Sequence, residues 1–502
     1  MRKDGGGKPP FRRVLVANRG EIAVRVIRAC RELGISPIAV HSDADAGAPH
    51  TRAADRSERI GPAPAVESYL SIPAVVEAAR RSGAEAIHPG YGFLSENADF
   101  GRAVEAAGLV FIGPPPAALE ALGNKLAARR AVEAAGVPIV PGTTVALEED
   151  VSAVDRVGFP VMLKAAAGGG GRGMRRVDRA VDLAEAMTAA RREAAAAFGD
   201  GTIYVERLLS PARHVEVQLL GDRHGGLAVL GERDCSVQRR HQKLVEESPS
   251  PGVSEATRTA LFESARRVAG TVDFHNAATV EFLVDAEGNH YFLEMNTRLQ
   301  VEHGVTELVT GLDLVAWQIR VAAGERLPEA IMAAPRHGHA IEVRLYAEDP
   351  YDGFRPVAGS IGAWRMPEGP GVRVDTAAEA GMEVRPEYDP LLVKLLVHAA
   401  DRPAAVARLR RALDETFIGG LQTDAGFLRW LVDDAAFVSG VYDTGLIADR
   451  WGSGPALSDA EQALVAFAAA KARRQEAVPR RAAGGRPASA WAEVARREAV
   501  DP

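Results

Sequence analysis

Short apolar runs alternate with amphipathic segments along the first 116 residues of the chain. Residues 13–18 predict a short buried strand, and the apolar spacing over 21–33 predicts a helix that ends at Gly34. Further strands are predicted at ISPIAVHSD, AEAIHPG and LVFIGPPP, with another helix over 72–82. Strands that alternate with helices in this way indicate a parallel α/β domain of Rossmann-like type. No GxGxxG follows the first strand, so the pattern alone is weak evidence for a nucleotide there.

The pattern changes twice farther along the chain. A smaller unit over about 138–211 combines strand-like runs around a glycine cluster, and mostly strands follow from 212 to 303. Short strands separated by Gly and Pro turns are predicted from 339 to 400. The helices predicted in these regions cover 124–136, 180–198, 254–270, 312–323, 403–415 and 456–477, and the last 25 residues are expected to be loosely ordered. The chain is therefore predicted to be α/β, with an α+β C-terminal part.

Composition narrows the class of protein. A length of 502 residues suggests about three domains, and a net charge of −7 gives no electrostatic case for nucleic acid binding. The two cysteines, Cys30 and Cys235, form no CxxC pair, which argues against a disulfide scaffold or a zinc ribbon. Because no signal-like segment and no run of about 18 apolar residues is found, the sequence predicts a cytoplasmic protein that does not span a membrane.

A glycine-rich loop separates two strand-like runs in residues 159–177. Gly168, Gly170 and Gly173 match GxGxxG, but a strand rather than a helix follows them, so the loop is predicted to be a hairpin flap. Glycine lets backbone N–H groups approach phosphate closely, and Lys164 on the preceding strand is within reach of phosphate oxygens bound there. A flexible hairpin without a ligand is the alternative.

Two apolar runs, TVEFLV and HYFLEM, are separated by a plausible four-residue turn. If Asp285 and His290 close this hairpin, Glu281 lies directly opposite Glu294. Like charges at such positions destabilise a sheet unless a cation lies between them, and Mg²⁺ prefers carboxylates. The hairpin therefore predicts a metal site, and a solvated strand face with a different register is the alternative.

Polar residues continue at every second position after Glu294. Asn296, Arg298, Gln300 and Glu302 would share one face of an extended chain, whereas the positions between them are mostly apolar. An arginine suits a small planar anion, and a carboxylate beside it is suited to accept a proton. A solvated edge strand is the alternative.

Three other polar features are candidates for function. Cations are dense over 239–243, which indicates either an anion site or an exposed basic turn. Arg344 lies between Val343 and Leu345 on a predicted strand, where a charge needs an anionic partner or a cleft. His214 follows Arg213 in ARHVEVQLL, although a lone strand histidine is more often structural.

Taken together, these segments resemble the biotin carboxylase family of the ATP-grasp superfamily. The matching stretches are VLVANRGEIAVRVIRAC, AIHPGYGFLSEN, GGGGRGM, RHVEVQ, ERDCSVQRRHQK, EMNTRLQVEH and YDPLLVKL, in order from residue 13 to about 450. The resemblance implies a Rossmann-like N-terminal domain, a central ATP-grasp domain with a glycine-rich lid, and a C-terminal biotin carboxylase domain. The implied divisions are 11–122, 123–330 with the lid at about 138–211, 339–450, and a linker-like helical tail over 451–502 that is partly disordered.

The functional residues of the family carry over to matching positions. The implied ATP contacts are Lys125, Lys164, Gly170, Gly171, Glu206, Leu209, His214, Gln238, His241, Glu281 and Glu294. The implied Mg²⁺ or Mn²⁺ ligands are Glu281, Glu294 and Asn296, in agreement with the hairpin pattern. The implied bicarbonate pocket consists of Lys243, Arg298, Gln300 and Val301. Glu302 resembles the base that deprotonates bicarbonate, and Arg344 resembles the residue that stabilises the biotin enolate.

The resemblance also implies a two-step reaction. Bicarbonate attacks the γ-phosphoryl group of ATP to give carboxyphosphate and ADP, and biotin then captures CO₂ released from carboxyphosphate. No lysine lies in an AMKM-like context, so biotin is expected on a separate carrier protein or domain. The family further implies a carboxyltransferase partner and a homodimer, and the tail resembles the linker of longer acyl-CoA carboxylase α chains. The acyl-CoA acceptor is left open.

The sequence departs from the family pattern at three positions. Gly304 stands where the family usually has proline, Ala167 where many members have glycine, and Arg207 where lysine is common. None of these changes removes a proposed catalytic group, so activity is expected.

Two other functions remain open. One is a different ATP-grasp ligase, such as a carbamoyl-phosphate or purine-pathway enzyme, against which QVEH and RRHQK argue. The other is a catalytically silent ATP-binding scaffold subunit, which only Gly304 favours.

Overall fold

The computed structural model describes residues 9–123, 125–145, 157–165 and 174–452, together with Val154 and Gly454. The strands of its first sheet are β1 (Arg13–Val16), β2 (Ser36–Ser42), β3 (Arg56–Gly61), β4 (Ala86–His88) and β5 (Val110–Phe111). The helices of this part are α1 (Gly20–Glu32), α2 (Pro49–Ala53), α3 (Ile72–Ser82) and α4 (Ala98–Ala106). All five strands are parallel, in the order β3-β2-β1-β4-β5, which confirms the predicted parallel α/β architecture.

The carboxyl ends of β1 and β4 are held together by one side chain. Asn18 Nδ2 donates hydrogen bonds of 2.7 Å to the carbonyl oxygens of Pro89 and Tyr91. Because β1 and β4 are neighbours in a parallel sheet, the polar segments that follow them meet at the same edge. The Tyr91 hydroxyl consequently donates to the carboxylate of Glu21, at the start of α1.

A second, smaller sheet follows two helices, α5 (Pro116–Gly123) and α6 (Lys125–Ala134). Its strands are β6 (Gly142–Val145), β7 (Val161–Ala165), β8 (Met174–Val177) and β9 (Ile203–Arg207), and α7 (Leu183–Phe198) packs against them. The order is β6-β9-β7-β8, and β7 and β8 pair antiparallel, as predicted for a hairpin. The helix α5 was not predicted, because its apolar start reads as the continuation of β5.

The remaining strands and helices complete the fold. The strands are β10 (Ala212–Gly221), β11 (Leu227–Arg239), β12 (Gln242–Ser248), β13 (Asn276–Asp285), β14 (His290–Asn296), β15 (His339–Tyr346), β16 (Glu348–Asp349), β17 (Arg355–Pro356), β18 (Gly359–Ser360), β19 (Ala363–Arg365), β20 (Val372–Thr376), β21 (Glu383–Val384), β22 (Leu391–Ala399) and β23 (Phe417–Gly419). The helices are α8 (Glu255–Ala269), α9 (His303–Thr310), α10 (Leu314–Ala322), α11 (Glu329–Met332), α12 (Arg402–Glu415), α13 (Ala425–Leu431), α14 (Ala435–Ser439) and α15 (Leu446–Arg450).

Eight of these strands form one sheet in the order β14-β13-β10-β11-β12-β15-β22-β20. The pairing of β12 with β15 therefore joins residues 212–296 to residues 339–399 in a single hydrogen-bonded ladder. Short strands dominate residues 339–400 as predicted, but two longer strands, β15 and β22, run for 8 and 9 residues. Both strands are almost wholly buried. A buried strand appears in the sequence as a continuous apolar run, so its length is not evident until its neighbouring strands are known. The helix predicted over 456–477 lies outside the described residues.

A buried ionic network fastens the C-terminal helices to this sheet. Glu247, on β12, accepts two hydrogen bonds from Arg402 at 2.7 and 2.9 Å and faces His339 at 2.5 Å. The Tyr442 hydroxyl donates to the same carboxylate. Burial would raise the pKa of Glu247, but the hydrogen bonds from His339 and Arg402 lower it to about 2. This carboxylate is therefore ionised over the whole range in which the protein is handled.

Gly304, in the first turn of α9, is closely packed. A Cβ at this position would lie 2.4 Å from Leu396 Cδ2 and 3.3 Å from an oxygen of Glu342. The side chain of Leu396 therefore fills the space that a larger residue would need, and the departure from the family's proline is matched by its surroundings.

Substituting Gly304 with alanine is expected to lower the free energy of unfolding by about 1–3 kcal/mol through overpacking. Urea denaturation of Gly304→Ala checks this, with Gly47→Ala as the control because a Cβ at Gly47 meets nothing within 4 Å. The double variant Gly304→Ala/Leu396→Ala is expected to recover part of the loss. A Gly304→Ala protein as stable as the control would contradict the packing argument.

Candidate active site

A row of charged side chains crosses the eight-stranded sheet at one level. Glu294 on β14 lies opposite Glu281 on β13, and Glu281 lies opposite Glu216 on β10. Glu216 in turn lies opposite Arg233 on β11. Because directly opposed residues in neighbouring strands project to the same face, these four charged groups line one surface of the sheet.

In the hairpin that carries Glu281 and Glu294, these two residues pair as predicted, but the register near the turn differs from the prediction. His290 lies opposite Val284, not Asp285, so the predicted closing pair is wrong by one residue. A β-bulge between Glu281 and the next residue then shifts the register, and Glu281 faces Glu294 as predicted. The predicted pairing of the two carboxylates is thus confirmed, because the bulge offsets the one-residue shift at the turn.

Lys243 binds the carboxylates of this surface together. Its Nζ donates to Glu216 at 2.7 Å, to Glu281 at 2.9 Å and to Glu302 at 2.7 Å. Three donors are all that an ammonium group has, so each of its hydrogens meets one carboxylate. The two glutamates at 216 and 302 are wholly buried, and a buried carboxylate needs such a partner.

Glu302 lies between two cations. One oxygen accepts from Lys243, and the other accepts from Arg344 Nη2 at 2.9 Å. Burial would raise the pKa of Glu302, but the charges of Lys243, Arg344 and Arg233 lower it well below its usual range. Glu302 is therefore ionised and pointed between the anion-binding side chains. The anionic partner predicted for Arg344 is confirmed.

The extended run predicted from Glu294 to Glu302 is wrong beyond Asn296, where β14 ends. The chain turns instead, and Glu302 is the N-cap residue of α9, a helix that the periodicity did not predict. The polar residues still meet, because Arg298 donates to Gln300 at 2.9 Å and lies 3.4 Å from Asn296. The amide nitrogen of Gln300 is buried without a hydrogen-bond partner among the described residues.

A second group of charges lies on the smaller sheet and on α6. Lys164 on β7 and Arg129 on α6 both ion-pair with Glu206 on β9. Lys125, the first residue of α6, contacts Glu294 at 3.0 Å and so links this group to the carboxylate hairpin. Lys125 thus approaches the hairpin from outside the large sheet, and Lys164 lies on the smaller sheet, as expected of groups that contact phosphate oxygens.

The other predicted nucleotide contacts are distributed around this group. His214 Nε2 is 2.8 Å from Glu281, so this histidine belongs to the carboxylate row. Gln238 lies opposite Lys243 in the β11–β12 ladder. His241 is exposed in the turn between these strands, where its φ is +67°.

Three further predicted contacts complete the set. Leu209 is half-buried just after β9. The carbonyl oxygen of Val301 accepts a 2.9 Å hydrogen bond from the buried Lys394. Gly170 and Gly171, the predicted phosphate-binding glycines, lie outside the described residues.

The donor set at the hairpin fits a hard divalent cation. Glu281 and Glu294 present carboxylates from neighbouring strands, and Asn296 adds an amide whose nitrogen is 2.9 Å from Glu281. Such oxygen ligands are those that Mg²⁺ and Mn²⁺ prefer. Lys125 pairs with Glu294 and Lys243 pairs with Glu281, as expected where negative charge is concentrated.

Several residues of the site were missed by the sequence argument. Arg233 donates to Glu216 at 2.5 Å and to Gln218 at 2.7 Å, and its side chain is wholly buried. Glu216 and Gln218 gave a signal, because they occupy alternate positions in an otherwise apolar strand, but Arg233 stands between Glu232 and Asp234 and reads as part of a polar run. Arg129 gave no such signal, since it lies on an amphipathic helix among other basic residues.

Three protein-family models together match almost the whole described chain. Residues 10–119 match the N-terminal domain of biotin carboxylase, and residues 342–449 match the biotin carboxylase C-terminal domain. Residues 124–330 match the ATP-binding domain of the carbamoyl-phosphate synthase L chain. The two outer matches decide against the alternative of a different ATP-grasp ligase.

Curated relatives and solved structures agree with these matches. The biotin carboxylase of Halalkalibacterium halodurans is 49% identical over 88% of this chain and 98% of its own length. The mitochondrial methylcrotonoyl-CoA carboxylase subunit alpha of Oryza sativa is 50% identical over 90% of this chain, which spans 62% of that subunit. The biotin carboxylase domain dimer of Hydrogenobacter thermophilus 2-oxoglutarate carboxylase, in complex with MgADP, ADP and bicarbonate, has a TM-score of 0.86 at 43% identity, covering 89% of this chain and 99% of that one.

The fold and the charged row together define an ATP-dependent ligase. The chain belongs to the biotin carboxylase family, whose reaction is the carboxylation of biotin with ATP and bicarbonate. Within the described ranges, none of the helices has the length and apolar character needed to cross a bilayer.

Proposed function

We propose that the charged row of the large sheet binds MgATP and bicarbonate and that biotin binds beside Arg344. The observation that carries this proposal is the placement of Glu302 between Lys243 and Arg344. The proposed nucleotide contacts are Lys125, Lys164, Gly170, Gly171, Glu206, Leu209, His214, Gln238 and His241. The proposed metal ligands are Glu281, Glu294 and Asn296.

The triphosphate is held by cations on the side of the smaller sheet. Lys125 and Lys164 already face carboxylates there, at Glu294 and Glu206, and phosphate oxygens compete for the same ammonium groups. Glu281, Glu294 and Asn296 would hold a divalent cation, which would supply neutralisation of phosphate charge when ATP is bound. The role of these residues is positioning and charge neutralisation, which supply most of the catalysis of phosphoryl transfer.

Bicarbonate is held by Lys243, Arg298, Gln300 and Val301. The unpartnered amide nitrogen of Gln300 offers a free donor, and the Arg298 guanidinium offers two parallel N–H groups to a planar anion. Bicarbonate also competes with Glu302 for the ammonium of Lys243, and loss of that contact raises the basicity of the carboxylate. Glu302 then accepts the proton of the bicarbonate that attacks ATP.

Biotin is placed on the side of Arg344. The guanidinium of Arg344 can donate to the ureido oxygen, on which negative charge develops when the ring nitrogen is deprotonated. Because Arg344 and Lys243 bind opposite oxygens of Glu302, the two half-reactions share one carboxylate. CO₂ released from carboxyphosphate therefore needs to travel only a short distance within the site.

The wider assembly is also part of the proposal. Several relatives are subunits or domains of larger carboxylases, and a dimer is named for the Hydrogenobacter domain. We infer a carrier protein or domain that brings biotin, a carboxyltransferase that uses carboxybiotin, and a homodimer of this chain. The proposed domain limits remain 11–122, 123–330, 339–450 and 451–502.

The test is ADP release by the purified chain with bicarbonate and Mg²⁺, with and without free biotin. Turnover that biotin stimulates is expected, and Arg344→Ala is expected to lower the biotin-stimulated part by about 10²-fold or more, as for the loss of one oxyanion donor. Arg355→Ala is a matched control, because Arg355 is exposed and forms an ion pair only with nearby Asp352 among the described residues.

The outcomes separate the candidate functions. ATP binding with no ADP release would favour the silent scaffold. Turnover stimulated by an amine rather than by biotin would contradict the proposal. Equal loss in Arg344→Ala and Arg355→Ala would remove the role assigned to Arg344.

A further inference from the structure

Two more buried carboxylates, Glu246 and Glu342, lie near Arg344 in addition to Glu302. Glu246 on β12 and Glu342 on β15 are directly opposite each other in the antiparallel ladder. Both are wholly buried, and neither oxygen of Glu342 has a hydrogen-bond partner in the part of the chain that the structure describes. Opposed buried carboxylates are costly to fold, so their presence calls for a reason.

The reason suggested by the geometry is the guanidinium between them and Glu302. Arg344 Nη2 forms an ion pair with Glu246 as well as with Glu302. A single nitrogen thus contacts two carboxylates, of which only Glu302 is assigned to the bicarbonate site. The Arg344 Nε has no hydrogen-bond partner among the described residues, so these contacts set the orientation of the side chain.

Charged and titratable groups surround Glu246 on several sides. They are Cys235 on β11, Lys243 on β12 together with Glu246 itself, Glu342 and Arg344 on β15, and Glu302 before α9. Burial raises the pKa of Glu246 to about 7, although Arg344 acts to lower it. Burial also raises the pKa of Glu342 well above its usual range, although Lys394 acts to lower it. Of the two carboxylates, Glu246 is therefore the one whose pKa lies near neutral pH.

We propose that Glu246 is a positioning residue for the biotin half-reaction, because its carboxylate holds the Arg344 guanidinium in the orientation that receives the ureido oxygen. This inference rests on the proposed role of Arg344. When Glu246 is ionised, Arg344 is anchored from both sides. When Glu246 is protonated, Arg344 loses its ion pair with Glu246 but keeps the one with Glu302, and the ureido-binding orientation is lost. The biotin half-reaction therefore gains activity as the pH rises through about 7.

The test compares Glu246→Gln with Glu247→Gln, the next residue along β12. Successive strand residues point to opposite faces, and Glu247 belongs to the network of Arg402, His339 and Tyr442 instead. Both variants lose a buried carboxylate, so both are expected to unfold at a lower temperature. The measurements are kcat and KM for free biotin and the rate of bicarbonate-dependent ADP release without biotin, on each side of pH 7.

In Glu246→Gln, kcat/KM for biotin is expected to fall about tenfold or more and to lose its rise with pH, as for a misplaced catalytic group. ADP release without biotin is expected to change by less than about threefold, since the metal and phosphate contacts stay in place. Glu247→Gln is expected to keep the pH profile and the ratio of the two rates. Glu246→Asp keeps the charge with a shorter reach, and it is expected to retain the pH dependence at a reduced kcat/KM.

A biotin-dependent kcat/KM and pH profile that stay unchanged in Glu246→Gln would overturn the inference alone. The same follows if Glu247→Gln reproduces the change, because the effect would then be general destabilisation. If Glu246→Gln does not fold, a Glu246→Asp protein with the kinetics of the unsubstituted enzyme overturns the inference equally. Absence of biotin stimulation in the unsubstituted enzyme would overturn both this inference and the proposed function.

Discussion

Replacing Glu302 with glutamine is expected to lower bicarbonate-dependent ADP release by about 10²–10⁴-fold, the range associated with loss of a general base. The amide is nearly isosteric, but it cannot accept the proton, and its NH₂ group points a donor at Lys243 or Arg344. The ion pairs of Glu302 also stabilise the fold. Since its pKa is below the ordinary value of 4.5, that contribution is present above this pH and is lost as the pH falls through the folded-state pKa.

The measurements are initial rates of ADP release and urea unfolding at several pH values. The difference in stability between the unsubstituted chain and Glu302→Gln is expected to shrink towards acid pH. Glu287→Gln is a suitable control, because Glu287 is exposed in the hairpin turn of the same polypeptide segment. Activity in Glu302→Gln within about tenfold of the unsubstituted chain would rule out Glu302 as the base.

Replacing Lys243 with methionine is expected to lower the free energy of unfolding by about 3–5 kcal/mol and to abolish turnover. The substitution leaves three buried carboxylates, Glu216, Glu281 and Glu302, without their common cation. Without Lys243 their pKa values rise, so the variant is expected to recover stability relative to the unsubstituted chain as the pH falls. Urea denaturation between neutral and mildly acid pH measures this recovery.

Lys243→Arg separates charge from shape. A guanidinium keeps the positive charge but is planar, so it cannot direct three hydrogens at three carboxylates as a compact ammonium does. The arginine variant is expected to be more stable than Lys243→Met while turnover stays low. Full turnover in Lys243→Arg would contradict the assignment of Lys243 to the bicarbonate pocket, and an unchanged stability of Lys243→Met would contradict the three-carboxylate arrangement.

The period-two pattern of the hairpin was enough to predict that Glu281 faces Glu294. Local alternation carries this information because a strand face is defined by neighbouring residues of the same segment. The same reasoning failed after Asn296, where the alternation continues in sequence but the strand does not. Glu302 is held by Lys243 and Arg344, tens of residues away, and these contacts override the local pattern.

The partners of the buried charges likewise could not be predicted from local sequence. Glu246 and Glu342 are almost a hundred residues apart in sequence and meet only because β12 pairs with β15. Nothing in the segments LVEES or AIEVRLY identifies which glutamate faces the site and which faces the C-terminal helices. That choice depends on strand register, since a shift of one residue exchanges the two faces. Arg344 was found from sequence because a charge between apolar neighbours needs a partner, but the identity of the partner was not.

The continuous ladder of the large sheet has a consequence for how the chain can be divided. The expected boundary between 330 and 339 falls between two strands, β12 and β15, that are hydrogen-bonded to each other. A fragment ending at residue 330 would leave β12 as a bare edge, with Glu246 and Glu247 stripped of Arg344 and Arg402. An unpaired edge strand of this kind can hydrogen-bond to strands of other chains and promote aggregation. The described residues up to 452 belong to one compact unit, so experiments on a fragment should use that unit and not a single domain cut from it.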